Sequence, residues 1–70
     1  MEFYNLFYGE CKIIDSTEDL YLVEVSKNWA RFIVCRYIYA DGSMTGQEFF
    51  KTLEDAQDYF NNIKKGMSRK

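Results

Sequence analysis

Apolar and polar residues alternate over 10–14 and 20–26, a continuous β-branched and aromatic run follows over 29–39, and a fourth apolar stretch spans 44–50. A period of two places alternate side chains on opposite faces, so the pattern predicts four strands. The breaks between them carry turn residues. Residues 15–19, Asp-Ser-Thr-Glu-Asp, read as a loop, Lys27-Asn28 as a tight turn, and Asp41-Gly42 as a hairpin of type I′, whose two central residues both need positive φ. After Phe50 the period changes. Leu53, Ala56, Phe60, Ile63 and Met67 recur at three and four residues and line one face of a helix over 52–66. Thr52 is its N-cap, and Glu54, Asp55 and Asp58 complement the positive end of the helix dipole. Lys64 and Lys65 complement the negative end, and Gly66 is placed to terminate it. Residues 1–9 carry two patterns. Phe3, Leu6 and Phe7 have helical spacing, while the run from Phe3 to Tyr8 can extend the sheet, which its aromatic content favours.

These elements predict one α+β domain over 1–70. Its core is an antiparallel β-meander of three to five strands (10–50), with one C-terminal α-helix packed on one face and a basic tail over 67–70. Two-residue turns set the registers. A turn at Lys27-Asn28 pairs Val25 with Ala30, Glu24 with Arg31, Val23 with Phe32 and Leu22 with Ile33, and the opposite charges of Glu24 and Arg31 suit that pairing. A turn at Asp41-Gly42 pairs Val34 with Phe49, Ile33 with Phe50, Cys35 with Glu48 and Tyr37 with Gly46. One face then collects Tyr21, Val23, Val25, Phe32, Val34 and Phe49, joined by Cys11 and Ile13, and receives the helix. The other collects Leu22, Ile33, Cys35, Tyr37, Tyr39, Met44 and Phe50, with Trp29 at its edge and Glu24, Arg31 and Glu48 among them. Arg36 points toward the helix in this register, and a bulge in the long third strand would release it.

A single helix of this length covers one sheet face only. The second apolar face needs the amino-terminal aromatics folded back, a second copy of the chain, or a different partner. The sequence is 19% aromatic, which adds weight to an aromatic interaction surface.

Charge changes the picture more through its distribution than its sum of −2. The first sixty residues hold five cations against all eleven acids, while the last ten carry Lys64, Lys65, Arg69 and Lys70 and no acid. An acidic body favours basic partners at long range. No apolar run is long enough to span a membrane, and the acidic, aromatic opening is unlike a signal peptide, which together imply a cytoplasmic protein. Cys11 and Cys35 fall on opposite faces in this register and are expected as unbonded buried thiols. With no histidine, neither a usual zinc site nor a cysteine dyad can be built. No phosphate-binding glycine loop is present, so no catalysis, cofactor or metal is expected.

One stretch bears a resemblance. Trp29-Ala30-Arg31-Phe32-Ile33, a later glycine, then Phe50-Lys51-Thr52-Leu53-Glu54-Asp55-Ala56 and Tyr59 resemble the three-strands-then-helix DNA-binding domain of plant ethylene-response factors and phage-type integrases. The resemblance covers about half the chain. It implies a sheet face, turned away from the helix, that reads the major groove, with Arg31 as a DNA contact and Trp29 beside it.

The sequence therefore points first to a small non-enzymatic protein-binding module, self-associating or acting as an adaptor or inhibitor, of the kind phages and mobile elements carry as accessory proteins. Trp29, Ile33, Tyr37, Tyr39 and Phe50 are its candidate anchors, with Arg31 and Glu24 setting polarity. The alternative is a nucleic-acid-binding module that uses Trp29, Arg31, Lys64, Lys65, Arg69 and Lys70.

Overall fold

A computed structural model describes residues 2–67. The chain forms β1 (Glu2–Asn5), β2 (Gly9–Thr17), β3 (Leu20–Val25), β4 (Phe32–Cys35), β5 (Tyr37–Ile38), β6 (Met44–Thr45), β7 (Glu48–Phe50) and α1 (Leu53–Met67). Five strands make one antiparallel sheet in the order β1-β2-β3-β4-β7, and β5 with β6 makes a separate two-stranded ribbon. The architecture is the expected α+β one, with residues 2–5 resolved in favour of strand. The Thr52 cap is also as expected: its Oγ1 accepts the Asp55 amide at 3.2 Å and its carbonyl accepts the Ala56 amide. The helix does not stop at Gly66, however, but continues to Met67. Arg69 and Lys70 of the basic tail lie outside the described residues.

Both central connections are longer than two-residue turns, and a shift of one residue reverses every side chain on a strand. Leu22 pairs with Val34, Val23 with Ile33 and Glu24 with Phe32, leaving a loop over 26–31 where a turn at Lys27-Asn28 was expected. A type I′ turn would need positive φ at Lys27 and Asn28, and no non-glycine residue among those described adopts it. The same constraint acts at Asp41-Gly42. Gly42 alone turns positive, at φ 90°, and closes a three-residue loop through Gly42 N–H to the Tyr39 carbonyl (2.9 Å) and Tyr39 N–H to the Ser43 carbonyl (2.8 Å). Asp41 steadies the loop by accepting both the amide and the hydroxyl of Ser43, which hold its carboxyl below the ordinary value. Val34 consequently pairs with Glu48, Ile33 with Phe49 and Phe32 with Phe50. Between β2 and β3 the expected five-residue loop is a tight connection at Glu18 and Asp19, with the register adjusted by a bulge at Ile14.

These registers decide what the helix covers. Leu20, Leu22 and Val34 are buried against Ala56 and Phe60, with Phe32, Phe50, Tyr59 and Ile63 around them. Val23 and Val25 keep the expected company of Cys11 and Ile13, but this group faces away from the helix. Cys35 lies in the same cluster as Cys11, so the two thiols share a face instead of being divided between faces, and both are free.

The second face is closed by the chain itself, through a segment expected to lengthen the central strands. The run 29–39 breaks at Arg36, which is exposed, and the break lets β5 and β6 fold over the sheet. Ile38 and Met44 then point inward onto the cluster of Val23, Ile33 and Cys35. Tyr37 and Tyr39 point outward as an edge-to-face pair with centroids 4.9 Å apart. The ribbon is pinned at its tip. Asn5 is a buried polar side chain whose Nδ2 donates to the Gly42 carbonyl at 2.7 Å, while its Oδ1 accepts the amides of Phe7 (2.7 Å) and Tyr8 (3.0 Å). One amide thus ties the β1–β2 turn to the hairpin, with donor and acceptor both satisfied.

Gly42 sits so close to β1 that an added Cβ would lie 2.2 Å from the Tyr4 carbonyl oxygen. Gly42→Ala is therefore expected to lower stability by about 2 kcal/mol or more, combining backbone strain with a clash against main chain. Asn5→Ala should cost about 1–3 kcal/mol by leaving buried groups unpaired. Urea unfolding of the two variants measures both.

Candidate functional site

The sequence-selected anchors do not form one surface. Ile33 is 0% exposed at the centre of the sheet. Phe50 lies on the helix side, 5.2 Å from the ring of Tyr59. Tyr37 and Tyr39 are half-exposed on the outside of the ribbon, and Trp29 stands apart on the 26–31 loop, 70% exposed. Glu24 and Arg31 do not pair with each other across the strands, since Glu24 faces Phe32. Arg31 donates from Nε to the Val25 carbonyl at 3.2 Å. It lines a shallow groove of about 470 Å³ with Glu2, Tyr4, Glu10, Lys12 and Glu24. The register puts Glu2, Lys12 and Glu24 in one row with Phe32 and Phe50, so this groove is the part of the helix-bearing face that the helix leaves uncovered.

The cations of the alternative site are also separated. Trp29 contacts Phe49 just before the helix begins, whereas Lys64 and Lys65 occupy its last turn, roughly 17 Å further along at 1.5 Å per residue. Lys64 Nζ lies 5.8 Å from the Phe60 ring. The face that the ethylene-response and integrase resemblance would turn toward DNA is the one beneath the β5–β6 ribbon.

A different surface emerges where three connections meet at one end of the sheet. Antiparallel order brings the β1–β2 turn, the 26–31 loop and the β7–α1 junction to the same end. There Phe49, projecting from β7 on the ribbon side, packs against Tyr8 (6.1 Å between centroids) and Trp29 (6.3 Å). Gln47 Nε2 donates to the Tyr8 hydroxyl at 3.3 Å, and Lys51 Nζ lies 5.9 Å from the Trp29 ring. The Lys27 amide donates to the Tyr8 carbonyl, tying the 26–31 loop to the β1–β2 turn. Leu6 and Phe7, at the tip of the adjoining turn, are 82% and 79% exposed. Each connection alone is a short polar or aromatic turn. Their convergence is visible only once strand order is known, and a signal available beforehand was that all three segments lack acids.

Neither thiol is poised for chemistry. Burial pushes Cys35 up to about 11, reinforced by the neighbouring Cys11, and burial raises Cys11 against a backbone hydrogen bond from Asn5. A nucleophilic cysteine needs the opposite shift. Among the described residues no group of His, Cys, Asp or Glu side chains is arranged to hold a metal ion, and no helix is long and apolar enough to cross a membrane.

Comparison with family models, with curated proteins and with solved structures returned no match.

Two predictions separate surface from core. Trp29→Ala should change stability by less than about 1 kcal/mol, because only a partly exposed ring contact and a cation–π contact are lost. Ile33→Ala should cost about 2–5 kcal/mol; chemical denaturation compares them directly. For the thiols, the folded value lies above the unfolded one, so the native state holds the proton more tightly. The stabilisation is complete below pH 9 and is lost as pH rises toward 11. The urea midpoint should fall through that window, and Cys35→Ala should flatten the fall.

Proposed function

We propose that this chain is a small non-enzymatic protein-binding module whose contact surface is the aromatic corner formed by Tyr8, Phe49 and Trp29, extended by Leu6 and Phe7. The observation that carries this reading is the exposure of Trp29, Leu6 and Phe7 at 70–82% beside the Tyr8–Phe49–Trp29 row, which makes them the most exposed large apolar side chains among the described residues. Water contact with that much apolar surface is unfavourable by roughly 25 cal/mol for each Å², and burying it against a partner recovers that energy. The corner has the composition of an interface centre, with aromatic anchors inside and lysines at the rim.

Of the anchors first expected, Trp29 is retained. Ile33 and Phe50 serve the core, and Tyr37 and Tyr39 present a separate, smaller aromatic pair. A role in nucleic-acid binding has less support, because among the described residues Arg31 lines a groove with Glu2, Glu10 and Glu24 while Lys64 and Lys65 occupy the last helical turn.

A random library of short peptides displayed on particles and panned against the immobilised protein tests the reading. Peptides enriched on the wild type and lost on folded Trp29→Ala and Phe7→Ala variants support it. Equal recovery on the wild type and the variants would remove it. A gel shift with short single-stranded and duplex DNA at low salt tests the nucleic-acid alternative in parallel.

A further inference from the structure

Resting on the reading of the aromatic corner as a protein-docking surface, we infer that its partner is an acidic segment of a different protein, one that sets Asp or Glu residues beside apolar anchors. The argument is charge complementarity. All eleven acids of the chain lie outside 3–9, 25–34 and 49–53, the three segments from which the corner is built. Those segments contribute Lys27 and Lys51, while their third cation, Arg31, lines the groove with Glu2, Glu10 and Glu24. Lys51 stands over the Trp29 ring, and Lys27, exposed in the neighbouring loop, is tied through its backbone amide to the Tyr8 carbonyl. The acids that flank these segments along the chain, Glu2, Glu10, Glu24, Glu48 and Glu54, belong to the helix side of the sheet: Glu10 pairs with Tyr4, in step with the Glu2–Lys12–Glu24 row, Glu48 pairs with Val34, and Glu54 lies on the first helical turn. Asp41 comes near in space, since Gly42 beside it accepts the Asn5 amide that holds the β1–β2 turn, and its carboxylate is engaged by the Ser43 amide and hydroxyl. At Trp29, on the far side of that turn, a body of net −6 over its first sixty residues presents a positive, greasy corner.

That distribution selects among occupants. A second copy docked corner to corner would set Lys27 and Lys51 of both chains against each other, since a two-fold contact brings like patches together. A basic partner would meet the same repulsion. Single-stranded nucleic acid satisfies the charge but suits the rings less well. The Phe49 and Trp29 rings lean together at 34°, Tyr8 stands edge-on to Phe49, and Lys51 occupies one side of the indole. Base stacking needs open, separated ring faces. Leu6, the most exposed apolar side chain of the group, offers no stacking surface at all. An acidic peptide with apolar anchors meets both requirements, its carboxylates pairing with the lysine rim while its side chains bury Leu6, Phe7 and Trp29.

The experiment follows from the library panning. Trp29 is the single tryptophan and its ring lies in the corner, so its fluorescence reports occupancy. Peptides enriched on the wild type are sequenced, and the best is titrated against the full chain alongside its charge-inverted version, with Lys in place of each acid, and a short oligothymidylate. The expected result is enrichment of Asp and Glu next to Leu, Phe or Trp. Titration should show a saturable change in Trp29 emission, with binding weakened at least tenfold in a Lys27→Glu/Lys51→Glu variant and markedly weaker from about 0.05 M to about 0.5 M salt. Enriched peptides that lack acids, or a charge-inverted peptide that binds as well, overturn the acidic partner while leaving protein docking in place. Tighter binding of the oligothymidylate overturns both the acidic partner and its premise, whereas a dimer in light scattering that dissociates on Trp29→Ala overturns the acidic partner alone.

Discussion

A sheet with two apolar faces and only one helix must find a second cover, and this requirement organises the molecule. The chain meets it with β5 and β6, folded back across the face opposite the helix so that Ile38 and Met44 complete the cluster of Cys11, Val23, Val25, Ile33 and Cys35. The cover is small, with each strand of the ribbon only two residues long, so its position cannot come from ladder hydrogen bonds alone. Asn5 supplies the missing constraint. Its amide is buried where any unpaired polar atom would be costly, and every bond it makes runs to the backbone of a connection. Gly42 is the counterpart: a residue without a Cβ is required where the hairpin tip meets the Tyr4 carbonyl.

What was legible in the sequence was the identity of the elements and the grouping of side chains within each strand. Period-two alternation found β2 and β3, the Thr52 cap and the 3,4 spacing found the helix, and Asp41-Gly42 marked a real hairpin. The relation between strands was not legible, because it rests on loop lengths. A two-residue turn at Lys27-Asn28 and the observed longer loop differ by one register step, and that step alone moved Val23 and Val25 from the helix side to the ribbon side and brought Cys11 and Cys35 into one cluster. Backbone energetics explain the choice: Lys27, Asn28 and Asp41 all avoid positive φ, and only glycine accepts it. Alternation along a strand says which residues travel together and nothing about which neighbour they meet.

The same limit applied to function. The apolar excess was real, but most of it belonged to a face that the chain seals for itself. Ile33, the residue at the heart of the expected docking surface, is wholly enclosed, and the long run containing it folds over at Arg36. The surface that stays open comes from connections. Leu6, Phe7, Tyr8 and Trp29 sit in turns, where hydrophobic periodicity has no meaning, and they meet Phe49 only because antiparallel order returns every second connection to the same end.

This division lets stability and recognition vary independently. The groups that hold the fold together, Asn5, Gly42 and the two buried clusters, lie within the layers, whereas Trp29, Leu6 and Phe7 project beyond them and contribute little to either cluster. Exposed loop aromatics can change identity without altering strand register, since register is set by where the loops begin and end and not by what their tips carry. Lys51 is the one residue that bridges the two roles. It stands between the last strand and the helix cap, and its ammonium reaches back over Trp29, so the junction that starts the helix also orients the indole at the open corner.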